Sequence, residues 1–195
     1  MIGKLVLLMG PAGSGKGTLL SHIRERHPEL AYPISWTTRA PRAGEEDGKS
    51  TNGKVYHFVS AQEFIQAKDA GAFLEWDHHF NNYYGTPVHE VQEALRVGNT
   101  VLQELEIRGV KQLLQKLPRE QVKIIFVSAG TWEEVSKRAL AREPIAPDEL
   151  EKRHLHYQEE MLFSKNADFI IENKDGQLEE AKKRIDEVMK EILAS

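Results

Sequence analysis

Gly10-Pro11-Ala12-Gly13-Ser14-Gly15-Lys16-Gly17-Thr18 decides how the rest of this chain is read. An apolar run, Leu5-Val6-Leu7-Leu8-Met9, precedes it, and a helical pattern, Leu19-Leu20-Ser21-His22-Ile23, follows. Strand, glycine-rich turn and helix in that order are the context of a phosphate-binding loop. Glycines let successive backbone N–H groups turn inward toward phosphate oxygens, and the helix offers its positive end to the same anion. Lys16 is placed to reach the β- and γ-phosphates. The usual pattern has Ser or Thr directly after the lysine, whereas Gly17 intervenes here and Thr18 carries the hydroxyl. Thr18 is therefore the candidate Mg²⁺ contact, acting mostly through water and phosphates, which suits an ion that gives up its waters reluctantly. The stretch implies nucleoside triphosphate binding.

The remaining composition narrows the class. A chain of 195 residues with 40% hydrophobic and 29% charged residues suits one soluble domain. A net charge of −4 argues against a general nucleic-acid partner. With no cysteine, disulfides, thiolate zinc sites and thiol nucleophiles are excluded. No apolar run approaches membrane-spanning length, and the first residues lead straight into a strand, so a cytoplasmic location is expected.

Strand-like runs alternate with helical patterns along the chain. Ala31 to Ser35, Val55 to Val59, Phe73 to His78, Thr100 to Leu105, Val122 to Ser128 and Asp168 to Ile171 read as strands. Ala61 to Ala70, Val88 to Val97 and Leu178 to Leu193 read as helices, the last two amphipathic. This alternation predicts an α/β fold with a parallel sheet covered by helices on both faces, and ligands outside the carboxyl ends of the strands. Tyr32 to Gly98 and the charged stretch from Arg138 to Glu160 fit that core poorly, which makes them candidates for substrate-holding and closing parts.

A second constellation lies in the first of these segments. Ser35-Trp36-Thr37-Thr38-Arg39-Ala40-Pro41-Arg42-Ala43-Gly44-Glu45 sets two arginines around a proline, and guanidinium groups match phosphate bidentately. Tyr56-His57-Phe58, Phe73-Leu74-Glu75-Trp76 and Asn82-Tyr83-Tyr84-Gly85-Thr86 follow. Together with the phosphate loop, this order closely resembles the guanylate kinase family over essentially the whole chain.

The resemblance implies a P-loop three-layer core with a central parallel sheet, formed by about 1–31, 99–130 and 165–195. A GMP-binding insert would span about 32–98, and a lid about 131–164. The loop residues Gly10 to Thr18 would bind ATP. Arg39, Arg42, Tyr56 and Tyr84 would hold the GMP phosphate. Ser35, Glu75 and Thr86 would face the guanine. A carboxylate at Glu75 can accept both N1–H and N2–H of guanine, while adenine offers only a bare N1 acceptor on that edge. Sites that hydrogen-bond their substrate reject the mismatched analogue by about 10⁴–10⁵. The implied reaction is phosphoryl transfer from ATP to GMP with Mg²⁺, and the implied state a monomer or homodimer.

Charge neutralisation would come from Lys16, Mg²⁺ and the lid arginines Arg138, Arg142 and Arg153. Arg138 and Arg142 lie four residues apart, on one face if the segment is helical. Lid closure would also exclude the water that hydrolyses ATP.

Three departures from the family bear on substrate choice. Gly17 replaces the usual Ser. The loop between Glu45 and Tyr56 is longer than usual, and Val55 replaces a common Asp. Glu104-Leu105-Glu106 stands where Asp-x-Asp is usual; those acids lie near nucleotide and metal in the family, so the resemblance implies that Glu104 and Glu106 belong to the GMP site. On a continuing strand, alternation would point both carboxylates to one side. The long loop and the Glu-x-Glu motivate a second reading, a divergent deoxynucleoside monophosphate kinase. A third, a peptide-binding scaffold of the same fold, is disfavoured because Lys16, Arg39, Arg42, Arg138 and Arg142 are all present. His78 and His79 are adjacent on a predicted strand, face opposite ways and do not suit one metal ion.

Overall fold

The computed structural model describes residues 3–42, 45–48, 56–79, 81–142 and 145–194. The first strand, β1 (Leu5–Met9), is buried at every position, as a strand covered on both faces must be. After α1 (Lys16–Arg26) the chain leaves the core for β2 (Ser35–Thr37), β3 (Tyr56–Phe58), α2 (Ala61–Asp69), β4 (Phe73–His79) and β5 (Asn82–Pro87). It returns through α3 (Val88–Arg96), β6 (Val101–Glu104), α4 (Ile107–Lys116), β7 (Val122–Ser128), α5 (Trp132–Arg142), α6 (Pro147–Phe163), β8 (Phe169–Glu172) and α7 (Leu178–Ala194).

Two sheets result. The core sheet is parallel, in the order β6-β1-β7-β8. The second sheet, β3-β2-β5-β4, pairs β2 parallel to β3 but antiparallel to β5, and β5 antiparallel to β4. Period-two alternation divides the core sheet between two apolar layers. Leu5, Leu7, Met9, Ile124 and Phe126 pack with α3 and α4 through Val91, Leu95, Val110 and Leu113. Val6, Leu8, Ile125 and Val127 pack with α1 and α7 through Leu19, Ile23, Ile185 and Met189. The expected α/β architecture with helices on both faces is thus present. Because β1 lies between β6 and β7, the crevice at its carboxyl end is a topological switch point, the place where open parallel sheets bind ligands.

The second sheet is braced by aromatic stacking. Phe64 of α2 stacks on Phe73 at 4.5 Å and on Tyr83 at 5.2 Å between ring centroids. Helix α2 starts on a reciprocal cap, with Ser60 accepting from the Glu63 N–H while Glu63 accepts from the Ser60 N–H.

The expected strand from Ala31 to Ser35 is divided. Ala31 makes a single parallel bridge to Val101 beside the core sheet, and pairing resumes only at Ser35, in the other sheet. Pro33 lies between and has no N–H to donate, so one continuous ladder is not available there. Asn82–Pro87, read from sequence only as a motif, is a strand paired on both sides. The long loop near Ser50 and Thr51 and the substitution at Val55 lie outside the described residues. Of that loop, Asp47 accepts from the Phe58 N–H at 2.7 Å and meets His57 at 3.0 Å.

Candidate active site

The phosphate loop occupies the carboxyl end of β1, and its backbone requires glycine. Gly10, Gly13 and Gly15 have φ values of 137°, 90° and 88°, a region L side chains rarely adopt. A Cβ on Gly15 would come 2.2 Å from Asn173 Nδ2. Asn173 holds the loop from the far end of the chain, donating from Nδ2 to the Ser14 carbonyl at 2.8 Å. The Ser14 hydroxyl in the cradle is buried without a hydrogen-bond partner. Lys16, first residue of α1 and 7% exposed, bridges the loop by donating to the carbonyls of Gly10 and Pro11. Its ammonium is 4.0 Å from Glu104 Oε1. Thr18 is exposed on the first turn of α1. Thr18 and Glu104 present oxygen donors beside the cradle, and oxygen donors are what Mg²⁺ takes.

Two of the three expected lid arginines can be placed against this loop. Arg138 donates to the carbonyl of Asn173 at 2.9 Å and to Asp175 at 2.7 Å, and reaches the Gly13 carbonyl at 3.5 Å. Arg153 lines a cavity with Pro11 and Ala12 of the loop and pairs with Glu149 at 2.9 Å. The side chain of Arg142 lies outside the described residues.

At the second sheet, Arg39 and Glu45 form a two-pronged pair at 2.8 and 3.1 Å. Glu45 also accepts from the Arg42 N–H at 2.8 Å. Burial works to raise the Glu45 carboxyl, but Arg39 and that N–H hold it below its ordinary value, so this pair stays charged. The Arg39 guanidinium stands 5.5 Å from the Tyr56 ring, and Tyr56 meets Tyr84 edge to face at 6.2 Å. Arg42 is exposed. Arg39, Arg42, Tyr56 and Tyr84 therefore belong to one polar and aromatic face.

Ser35, Glu75 and Thr86 come together behind it. Glu75 is 4% exposed and its Oε1 accepts from the Thr86 hydroxyl at 2.5 Å. Gly109 of α4 leaves room for the other oxygen, since a Cβ there would sit 2.5 Å from Glu75 Oε2. Burial pushes the Glu75 carboxyl up to about 7 against the pull of the Thr86 hydrogen bonds; Asp77 raises it further and Lys116 lowers it. The residue that joins the cluster is one the sequence reading passed over. Gln103 of β6 donates from Nε2 to Ser35 Oγ at 2.6 Å and to Thr86 Oγ1 at 3.3 Å. Its signal was a lone amide inside the otherwise apolar run Val101-Leu102-Gln103, where a buried polar group needs partners.

Glu104 and Glu106 face elsewhere. Strand β6 ends at Glu104 and Glu106 caps the start of α4, so strand alternation no longer relates them. Glu104 lies by Lys16, while Glu106 Oε2 meets His156 Nε2 of α6 at 3.2 Å. Glu160, 1% exposed on the same helix, completes a trio whose ligand-type atoms lie within 4.8 Å of one another. Burial raises the Glu160 carboxyl above its ordinary value and the neighbouring Glu106 adds to this, against Lys16 and His156. His156 is also raised, chiefly by its hydrogen bond to Glu106.

A stability prediction follows from the sign of these shifts. A carboxyl raised on folding contributes stability below its unfolded pKa, and that contribution is lost as pH rises through the folded value. Glu160→Gln keeps the shape and removes the buried charge. At pH 8 its melting temperature is expected to exceed that of the parent by roughly 2–8 °C, with the gap narrowing toward pH 5. Equal melting curves at both pH values would show that Glu160 is not held as described.

Switch-point loop, parallel core and separate polar sheet define a P-loop α/β protein built as a nucleotide kinase. A sequence model described as guanylate kinase matches residues 2–192, and the chain belongs to the guanylate kinase family. A guanylate kinase of Rubrobacter xylanophilus is 37% identical over 192 residues, covering 98% of this chain and 96% of its own. One from a Synechococcus species is 39% identical over 174 residues, covering 89% of this chain and 88% of its own. The crystal structure of guanylate kinase from Anaplasma phagocytophilum superposes with a TM-score of 0.72 at 24% identity, covering 97% of this chain and 85% of that one, and supports the fold. The chain is accordingly a kinase. Among the described residues no helix is long and apolar enough to cross a membrane.

Proposed function

We propose that this chain transfers the γ-phosphoryl group of Mg·ATP to GMP, and to dGMP, yielding ADP and the diphosphate. Residues 32–98 act as the monophosphate-binding insert and 131–164 as the lid over the core. The observation that carries this reading is the pairing of two unlike sites. One is a glycine cradle closed by Lys16; the other is a buried carboxylate, Glu75, backed by Thr86 beneath the arginine and tyrosine face. A cradle alone would suit many nucleotide-binding proteins. A buried carboxylate next to phosphate-binding groups suits a base edge rich in N–H donors.

Arg39, Arg42, Tyr56 and Tyr84 hold the monophosphate, with Arg39 already oriented by Glu45. Glu75 and Thr86, with Ser35 alongside, orient the base. That positioning aligns the acceptor oxygen with the γ-phosphorus, which is most of what phosphoryl transfer asks of a protein. The nucleophile is an oxygen of the monophosphate, whose second pKa is about 6, so near neutrality no base has to remove a proton. Its bond to the γ-phosphorus forms as the bond to the β–γ bridging oxygen breaks, and the electron pair leaves on ADP. Lys16 neutralises charge on the triphosphate, joined on closure by Arg138, Arg142 and Arg153. Thr18, with water and the phosphates, would hold Mg²⁺, which would supply further charge neutralisation. The proposed compartment is the cytoplasm, which a cysteine-free chain suits, and the proposed state is a monomer or homodimer.

ADP release is the direct test, with Mg·ATP and GMP, dGMP, AMP, CMP and UMP offered separately. Turnover with GMP exceeding that with AMP by at least about 10²-fold is expected. Preferred turnover of another monophosphate would keep the mechanism and reassign Glu75. Folded protein inactive on all five would overturn the kinase reading.

A further inference from the structure

The Glu75–Thr86 hydrogen bond needs a defined proton. A threonine hydroxyl has one hydrogen and can accept as well as donate. With Glu75 ionised, a hydrogen turned elsewhere would leave two oxygens facing each other at 2.5 Å. Something must keep the hydroxyl pointing at Glu75. Gln103, 6% exposed, also contacts this hydroxyl, with Nε2 at 3.3 Å from Thr86 Oγ1 and 2.6 Å from Ser35 Oγ. An amide nitrogen has two hydrogens and no lone pair to offer, so both hydroxyl oxygens accept from it. Thr86, accepting from Gln103, has its own hydrogen left for Glu75.

We propose that Gln103 is a positioning residue for base selection: its carboxamide orders the Ser35 and Thr86 hydroxyls, directs the Thr86 proton onto Glu75 and leaves a Glu75 oxygen to accept from a purine edge that carries N–H donors. The inference rests on the proposed role of Glu75 at the base. The amide also spans two structural units, since Gln103 lies on the core sheet while Ser35 and Thr86 lie on β2 and β5 of the second sheet. The two hydrogen bonds from the amide thus set both a proton and the seat of the second sheet on the core.

Other groups around Glu75 do not substitute for this arrangement. Asp77 on its own strand is a like charge. Lys116 of α4 favours the carboxylate but spends its ammonium on the Leu74 carbonyl at 2.5 Å. Arg108 of α4 is directed to Asp77 at 3.4 Å. Thr86 supplies the hydrogen bonds that favour the ionised carboxyl, one from its backbone N–H and the larger one from its hydroxyl, and only the hydroxyl depends on Gln103. Removing the Gln103 donor should let the hydroxyl turn away, disfavour the ionised carboxyl and move the acidic limb of kcat/KM for GMP to higher pH.

The experiment compares the parent with Gln103→Met, close in length and apolar, and Gln103→Glu, close in shape but without the donor. KM and kcat for GMP are followed from pH 6 to pH 9, and a melting curve is taken for each protein. We expect Gln103→Met to raise KM for GMP about tenfold near pH 7, keep kcat at saturating GMP and KM for ATP within about twofold, and shift the acidic limb upward by about half a pH unit or more. Gln103→Glu should shift it further, because it also adds a like charge. On a Thr86→Val background, which lacks the hydroxyl to be ordered, Gln103→Met should leave the limb where Thr86→Val put it. An unshifted limb in folded Gln103→Met, or equal effects with and without the Thr86 hydroxyl, would reduce Gln103 to packing and overturn the proposal. Glu75→Gln in the same series separates the two ideas. If it leaves the preference for GMP over AMP intact, the base reading fails. If it abolishes that preference while Gln103→Met moves nothing, only the role of Gln103 fails.

Discussion

Lys16→Met should lose about 10³-fold or more in kcat while still binding GMP. Removing one neutral hydrogen-bond donor from a site that stabilises developing charge typically costs about 10²–10³, and Lys16 contributes a full charge, 7% exposed, where the dielectric screens least. Methionine keeps the aliphatic stem packed at the start of α1, so the loss reports the ammonium. Folding is the necessary control, because the ammonium also donates to the carbonyls of Gly10 and Pro11 and helps to shape the loop. Pro11 keeps a second bond through the Ser14 N–H at 3.0 Å, and Asn173 holds the Ser14 carbonyl, so the loop retains supports without Lys16. A folded Lys16→Met protein retaining more than about a tenth of parental turnover would remove Lys16 from the chemistry. Monophosphate affinity, measured by calorimetry with GMP alone, should change little, since Tyr84 lies on the other sheet and Arg39 on the loop that follows its strand β2.

What could be read from the chain alone was what is local. The phosphate loop is nine consecutive residues whose backbone torsions, lysine and following helix are dictated by near neighbours, so its sequence carries it. The buried strands of the core were legible for a similar reason, as Val122–Ser128 is an apolar run longer than any turn signal near it. Asn82–Pro87 was not legible as a strand. Asn, Gly and Pro are poor strand formers, and pairing with β2 and β4 on either side overrides that preference. The family resemblance implied that Ser35, Glu75 and Thr86 belong together, but not what holds them. Gln103 is 68 positions from Ser35 and 17 from Thr86, and only the docking of one sheet on the other brings the amide to both. The same limit applied to Glu104 and Glu106. Their spacing read as alternation on a strand, whereas the strand ends between them and helix α4 redirects the second toward His156. The anchoring of Arg138 on Asn173 and Asp175 was likewise invisible, because it joins α5 to the turn after β8.

Glu75→Gln carries the second large effect, and it should run in opposite directions for activity and stability. Guanine presents two N–H donors on one edge, and a carboxylate accepts both. A carboxamide offers one acceptor and one donor, and the donor would face a guanine N–H. Sites that hydrogen-bond their substrate owe factors of about 10⁴–10⁵ to such pairing; a partial mismatch should lower the GMP-over-AMP ratio of kcat/KM by about 10²-fold or more. Phosphate capture should survive, because Arg39, Tyr56 and Tyr84 form a separate face. Stability should rise. The folded protein holds the Glu75 carboxyl at about 7 rather than the ordinary 4.5, so its contribution is full below pH 4.5 and declines as pH rises through about 7. At pH 8 the buried charge costs roughly 3.5 kcal/mol relative to a neutral group, by the conversion of about 1.4 kcal/mol per pKa unit. Glu75→Gln removes that cost and should melt several degrees higher than the parent at pH 8, with little difference near pH 5. In the parent, the preference for GMP should strengthen as pH rises from 6 to 8, as the carboxyl ionises, while in Glu75→Gln it should stay flat. A variant that gained stability and kept the parental, pH-dependent preference would place base recognition elsewhere. A variant that lost both would mean Glu75 is held by contacts its amide cannot replace. The expected combination, a more stable protein that no longer distinguishes its bases, would identify the strained, buried carboxylate as stability given up for recognition.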